Sequence, residues 1–150
     1  MTVEDLSERI GYLTWHLTQA LVRRMEHALR PLHLTQAQYT ALAWLSNEGP
    51  VSGAELARRC GVTAQSVGVA IHGLAERGMV ERRAHPSNGR IIEISITAAG
   101  RVLALQGEQA LLPIEDQALA MFTPAERQRL RNDLRRVLSV LHPSALPQGG

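Results

Sequence analysis

The feature that most restricts the fold of this chain is a change of hydrophobic period near residue 79. Up to "LAERG" the apolar residues recur in three- and four-residue steps, whereas in "MVERRA" and "IIEISIT" they alternate, with Ile92, Ile94 and Ile96 separated by Glu93 and Ser95. A period of 3.6 buries one stripe of a helix and a period of 2 buries one face of a strand, so the two patterns cannot belong to one element. The insert between the strand-like runs is "HPSNGR". Its Asn88-Gly89 pair tolerates the positive φ angles of a two-residue type I′ turn. The sequence therefore predicts a hairpin with Asn88 and Gly89 at its tip, Pro86 stiffening the approach and Arg90 projecting from it. A two-stranded hairpin alone is marginally stable, so it must lie on the helices that precede it.

Those helices are marked by their ends. Leu6, Ile10, Leu13, Leu17, Leu21, Met25 and Leu32 form the stripe of a long first helix, which Pro31 should end. Thr35 and Gln38 stand in capping-box spacing at the head of "LTQAQYTALAWLSNEGP", closed by Gly49-Pro50. Ser52 and Glu55 open a short third helix, with Leu56 and Cys60 on one face and Gly61 as its stop. Only Gly61-Val62-Thr63 separates it from a fourth, capped by Thr63, with Val67, Ala70, Ile71 and Leu74 on one side. Two helices across a tight glycine-containing link are a helix-turn-helix candidate. Beyond the hairpin, Thr97 should cap a further long helix with a kink or break at Pro113, and Thr123, Pro124 and Glu126 a last one striped by Leu130, Leu134, Val137, Leu138 and Leu141. The expected fold class is mainly α with a small β-hairpin wing. Residues 35–97 form the winged helix-turn-helix lobe, residues 1–34 and 98–142 long terminal helices, and residues 143–150 a flexible Pro/Gly-rich tail.

A chain of 150 residues suffices for one domain, and with aromatic residues at only 3% its core must come from Leu, Val, Ile and Ala. No apolar run approaches the roughly 18–20 residues of a membrane span, and "MTVEDLSERIG" has no signal-like apolar segment, so a cytoplasmic protein without a membrane partner is expected. The single cysteine, Cys60, excludes an intrachain disulfide and a cysteine-based zinc cluster. No nucleophile setting, glycine-rich phosphate loop or compact metal-ligand spacing is visible; neither an enzyme, nor a catalytic residue, metal or cofactor, is expected. All sixteen basic side chains are arginine. That usage suits phosphate and guanine edges, and codon bias produces it equally. The net charge is only +2, but residues 51–101 carry Arg58, Arg59, Arg77, Arg82, Arg83, Arg90 and Arg101 against Glu55, Glu76, Glu81 and Glu93. The basic surplus falls on the winged unit.

That coincidence points to double-stranded DNA. In such a unit the second helix of the pair enters the major groove and the hairpin reaches the flanking minor groove, whose negative potential attracts a guanidinium. Thr63, Gln65 and Ser66 sit at a helix N-terminus, where backbone N–H groups can meet phosphate, or simply begin the helix. Arg82 and Arg83 abut the wing as phosphate contacts or as a solvated strand end, and His72 faces phosphate or water.

The stretches "LTQAQYTALAWL", "SGAELARRCGVTAQSVGVAIHGLAERGMVERR" and "HPSNGRIIEISITAAGRVL" resemble, in order and spacing, the MarR family (multiple antibiotic resistance regulators) over nearly the whole chain. The resemblance implies a homodimeric, ligand-responsive repressor of a pseudo-palindromic operator, with residues 1–34 and 98–142 as interlocking dimerisation helices. Its DNA-binding residues are then Ser52, Thr63, Ala64, Gln65, Ser66, Val69, His72, Arg82, Arg83, Asn88, Gly89 and Arg90. Two departures stand out: Asn88 and Gly89 replace the Asp and Arg common at the family's wing tip, and Ala64 and Val69 stand where relatives often carry Arg. Base reading would then fall to Gln65, Ser66 and apolar contact with thymine methyls. Trp15, His16, Arg23, His33, Tyr39 and Trp44 could line a site for a small aromatic or phenolic effector; each also suits core or interface packing. Two alternatives remain open: a small-molecule binding protein on the same fold without operator recognition, and a redox-responsive regulator using Cys60, although a face shared with Leu56 also suits an inert buried thiol.

Overall fold

In the computed structural model, which describes residues 5–146, the caps read from the sequence are made. Helices α1 (Ile10–Leu29), α2 (Gln36–Glu48), α3 (Gly53–Cys60), α4 (Ala64–Glu76), α5 (Ala98–Ala118) and α6 (Pro124–Leu141) alternate with strands β1 (Val51–Ser52), β2 (Val80–Ala84) and β3 (Ile92–Ile96). The Thr35, Ser52, Thr63, Thr97 and Thr123 hydroxyls accept the backbone N–H of Gln38, Glu55, Ser66, Gly100 and Glu126. Gln38 and Glu126 return the bond to the capping residue's own N–H, closing two full boxes. Each such cap stabilises its helix by about 1 kcal/mol.

Three boundaries differ from expectation. The first helix starts at Ile10, because Arg9 is extended and separates it from a 3₁₀ turn at Leu6–Glu8. Of the kink or break expected at Pro113, the break does not occur: helix α5 continues through it. Residues 143–146, expected in a flexible tail, include a 3₁₀ turn at Pro143–Ala145 packed on α3, and a Cβ at Gly61 would come 3.0 Å from His142 Nε2. The rest of that tail lies outside the described residues.

The sheet corrects the sequence reading twice. It has three antiparallel strands in the order β1-β3-β2, and the two-residue β1, too short to show a period, was not anticipated. The predicted two-residue turn is also absent. Ala84 pairs with Ile92, leaving a seven-residue loop, and neither Asn88 nor Gly89 takes a positive φ. The reason is register. A turn at Asn88-Gly89 would set Val80 opposite Thr97 and turn its face toward Ser95 and Glu93. The observed pairs Val80↔Ile96 and Arg82↔Ile94 keep Val80, Ile94 and Ile96 on one side. A slip of one residue would expose that apolar face, and its burial outweighs the local turn preference.

The core lies in the lobe and at its junction with α5: Leu29, Leu42, Leu45, Leu56, Ile71 and Leu74 are fully buried, joined by Val80, Ile94, Leu103 and Ala104. A Cβ at Gly100 would stand 2.0 Å from the Met79 carbonyl oxygen, so only glycine lets α5 approach the strand this closely. By contrast α6 buries none of its residues, and Ile10, Leu13 and Leu17 of α1 and Leu130, Leu134 and Val137 of α6 are exposed. Two amphipathic helices thus present apolar faces that the described residues of this chain do not cover. Among those residues no helix is long and apolar enough to cross a membrane.

Candidate nucleic-acid interface

The buried side of α4 is Val67, Ala70, Ile71 and Leu74. At 100° per residue the opposite side is centred on Gln65, Val69, His72 and Glu76, all exposed, with Ala64 and Ser66 exposed beside them at the helix start. Thr63 is fixed by its cap and donates its own hydroxyl to Ser66 Oγ at 2.9 Å. His72 Nε2 lies 3.4 Å from Glu76 Oε1. Ser52 is only half-buried, but its hydroxyl is engaged in capping α3.

Partnering separates the seven arginines of the basic segment. Arg58 and Arg59 both bind Glu55, and Arg59 also reaches Glu48 and lies 5.4 Å above the Trp44 ring. These bonds, Arg58 first and Arg59 second, lower the Glu55 carboxyl to about 2. Arg77 donates to the carbonyls of Leu32 and His33, closing the linker between α1 and α2. Arg101 donates to the Ser46 carbonyl, and Arg83 pairs with Glu81. Among the described residues the guanidinium groups of Arg82 and Arg90 make no ion pair or hydrogen bond, and both side chains are exposed. Arg82 and Arg83 point to opposite faces of the wing. Arg82, opposite Ile94, borders a groove of about 290 Å³ with Gly53, Ala64, Gly68 and Ile92, so the start of α4 and the wing flank one surface feature.

The wing loop is organised by a residue that the sequence did not single out. His85 Nδ1 accepts the backbone N–H groups of Ser87 and Asn88, each at 3.2 Å, and its Nε2 lies 3.5 Å from Glu93 Oε1. Asn88 Oδ1 then accepts the Arg90 N–H at 3.3 Å, while the Asn88 carbonyl accepts the Ile91 N–H. Asn88 thus shapes the turn through an Asx-type bond, with Gly89 and Arg90 at its centre.

The six candidate effector residues do not share one cavity. Trp15 is 63% exposed on α1 and His16 stacks on Tyr12, with ring centroids 4.4 Å apart. Arg23 borders a separate shallow cleft with Arg24 and His27, His33 is exposed in the left-handed conformation, and Trp44 packs on the core. Only Tyr39 faces the largely apolar groove of about 510 Å³ between α1, α5 and α6, lined also by Leu21, Met25, Leu111 and Leu134. Arg127 and Arg131 stand at its rim, paired with Asp116 and Glu115. Burial, and then the Glu108 charge, raise the Tyr39 hydroxyl above its usual range, keeping it a donor. The terminal-helix stripes contained the signal for this groove; the aromatic residues alone did not. Cys60 is half-buried, and burial pushes its thiol up to about 11.

Comparison with known proteins agrees with this geometry. The model of the MarR family matches residues 33–91, the stretch from the α1–α2 linker into the wing. The HTH-type transcriptional repressor Rv2887 of Mycobacterium tuberculosis is 32% identical over 128 residues, 85% of this chain and 92% of that protein. Its structure in complex with p-aminosalicylic acid superposes with a TM-score of 0.72 at 30% identity, covering 86% of this chain and 98% of that one. A MarR-family transcriptional regulator from Rhodococcus sp. RHA1 shares the fold with a TM-score of 0.83 at 22% identity, over 94% of this chain and 98% of its own. With its winged helix-turn-helix, its three-stranded wing sheet and its repressor relatives, this chain belongs to the MarR family of transcription regulators.

Proposed function

We propose that the protein acts in the cytoplasm as a homodimeric, ligand-responsive repressor of transcription. Its two α4 helices enter successive major grooves of a pseudo-palindromic duplex, with half-sites about 34–36 Å apart, and each wing offers Arg90 to the flanking minor groove. The observation that carries this reading is the pair of uncommitted guanidinium groups, Arg82 and Arg90, on a wing that shares a groove with the start of α4. Thr63, Ser66 and Ser52 then approach the phosphate backbone, and Ala64, Gln65, Val69 and His72 face the base edges or their flanking phosphates. Arg83, paired with Glu81, is a secondary contact. The uncovered apolar faces of α1 and α6 support residues 1–34 and 98–142 as the dimerisation region, leaving residues 35–97 as the DNA-binding lobe.

A small aromatic acid or phenol fits the groove beside Tyr39. The apolar wall takes the ring, and the Tyr39 hydroxyl, Arg127 or Arg131 meets its oxygen. The p-aminosalicylic acid complex of the 30%-identical relative supports this class of effector. Cys60 fits a packing role better than a sensor, because its thiol is held protonated by burial. Selection of bound duplexes from a random library tests the proposal. A recovered pseudo-palindrome, with two protomers per duplex in analytical ultracentrifugation, is expected. Recovery of no enriched sequence would replace it with a small-molecule binding protein on the same fold.

A further inference from the structure

Val69 is 71% exposed, while the four apolar residues on the opposite side of α4 are at most 5% exposed. It is also the most exposed of the large apolar residues in the lobe, ahead of Val62, Ile91 and Ile92. The other strongly exposed aliphatic side chains lie on α1, α5 and α6, where long apolar faces are uncovered, or in the turns next to them, at Leu6 before α1 and Met121 between α5 and α6. Val69 belongs to no such face. It stands between Gln65 and His72 in the middle of a polar stripe, and it borders none of the grooves described above. Nothing within the lobe accounts for a β-branched residue at this place, which gains no burial and has a lower helix propensity than Ala, Gln or Arg.

The surroundings leave it prominent. Gly68 precedes it with open space where a Cβ would be, and Gly73, one turn on, also lacks a side chain, its missing Cβ directed toward Gln38. Val69 is therefore open to solvent on the side opposite the core, with no side chain beside it at Gly68 or Gly73. In a major groove the apolar group available to such a side chain is the thymine C5 methyl, since other base edges offer hydrogen-bonding atoms. Gln65 lies one turn earlier, about 6 Å along the axis. Its carboxamide has the donor and acceptor that match adenine N6 and N7.

Building on the DNA-binding reading above, we propose that Val69 determines specificity by packing on a thymine methyl. The A·T content of each half-site is then set by Val69, with Gln65 reading an adenine one or two base pairs away. The contact is dispersive and needs no charge on α4, which accounts for a recognition helix carrying no arginine.

The experiment uses the full-length protein and the duplex it selects from a random library. Thymines are replaced one at a time by deoxyuridine, which removes the methyl and leaves the pairing edge unchanged. Loss of affinity is expected at one or two thymines per half-site, about fourfold for one methyl and about fifteenfold when both half-sites are altered. In Val69→Ala the same replacements should have no effect, and circular dichroism should show an unchanged fold, as befits an exposed position. Three results overturn the proposal. Deoxyuridine could leave the parent's affinity unchanged at every position, or it could weaken parent and Val69→Ala equally. A library yielding no enriched duplex removes the DNA-binding reading itself, and that outcome is distinguishable from the first two.

Discussion

Removing Arg90 should change how DNA binding depends on salt more than it changes the protein. The Arg90 side chain is exposed and its guanidinium has no partner among the described residues, so Arg90→Ala costs no internal bond and leaves the unfolding midpoint unaltered. Each guanidinium that does the work of one phosphate contact contributes about 0.9 to the slope of log K against log salt, and a dimer carries two. The slope should thus become shallower by about 1.8. Between 50 and 200 mM salt that amounts to roughly a twelvefold change in the ratio of parent to variant affinity. Fluorescence anisotropy with a labelled operator at four or five salt concentrations measures it. Arg101→Ala is the control, because it removes the same charge from a guanidinium already committed to the Ser46 carbonyl and hydroxyl. An unchanged slope for Arg90→Ala, or an equal change for Arg101→Ala, would refute the reasoning, since the effect would then follow net charge and not the wing.

Further outcomes follow from other contacts. His85→Ala removes the acceptor that holds the Ser87 and Asn88 N–H groups and should shift the salt slope toward that of Arg90→Ala; His85→Asn, whose Oδ1 can replace Nδ1, should restore it. Gly100→Ala must push α5 off the Met79 carbonyl and should lower stability by about 1–3 kcal/mol in urea titrations, whereas Gly68→Ala, with open space at its Cβ, should not. The Glu55 carboxyl is lowered from 4.5 to about 2 in the folded chain, so its pairing with Arg58 and Arg59 stabilises the fold above pH 4.5 and is lost as the pH falls toward 2. The stability gap between parent and Glu55→Gln should close over that interval and narrow in high salt; a gap that persists at pH 2 contradicts it. Burial raises the Cys60 thiol from 9.0 to about 11, leaving about 100-fold less thiolate at neutral pH. Iodoacetamide should react correspondingly slowly with the native protein and at an ordinary rate after unfolding.

The sequence was most legible where a local interaction decides the structure. Five caps are Ser or Thr three residues before the N–H they accept, and short-range geometry alone sets them. The wing was legible as a hairpin but not in its register. Asn88-Gly89 is a local signal for a two-residue turn, whereas the pairing of Arg82 with Ile94 is fixed by burial of Val80 and Ile94 against distant helices. For the same reason β1 went unseen: two residues have no period, and Val51 is a strand only because Ile94 lies opposite it. The site was partly legible in the same sense. The sequence placed the basic surplus on the winged unit, but it could not say that Arg59 belongs to Glu55 and Glu48, that Arg77 closes a linker, or that Arg82 and Arg90 remain uncommitted. Those distinctions depend on partners up to 45 residues away in the chain.

Helix α5 connects the groove beside Tyr39 to the wing. At its start the Thr97 hydroxyl is within hydrogen-bonding distance of the Gly78 and Met79 carbonyls, and Gly100 lies directly against Met79, immediately before β2. Seven residues later, about 10 Å along the axis, a Cβ at Gly107 would come 2.6 Å from the Tyr39 ring. From Glu108 to Ala118 the same helix lines the groove. Contacts made through glycine have no side chain to bend, and close-packed interiors pass a displacement on instead of absorbing it. If an effector binds there as proposed, a displacement of Tyr39 or the groove wall would bear on α5 at Gly107, and α5 would bear on β2 through Gly100. The loop carrying Arg90 follows β2, so the groove and the wing are joined through one helix, the route by which the proposed effector would reach that guanidinium.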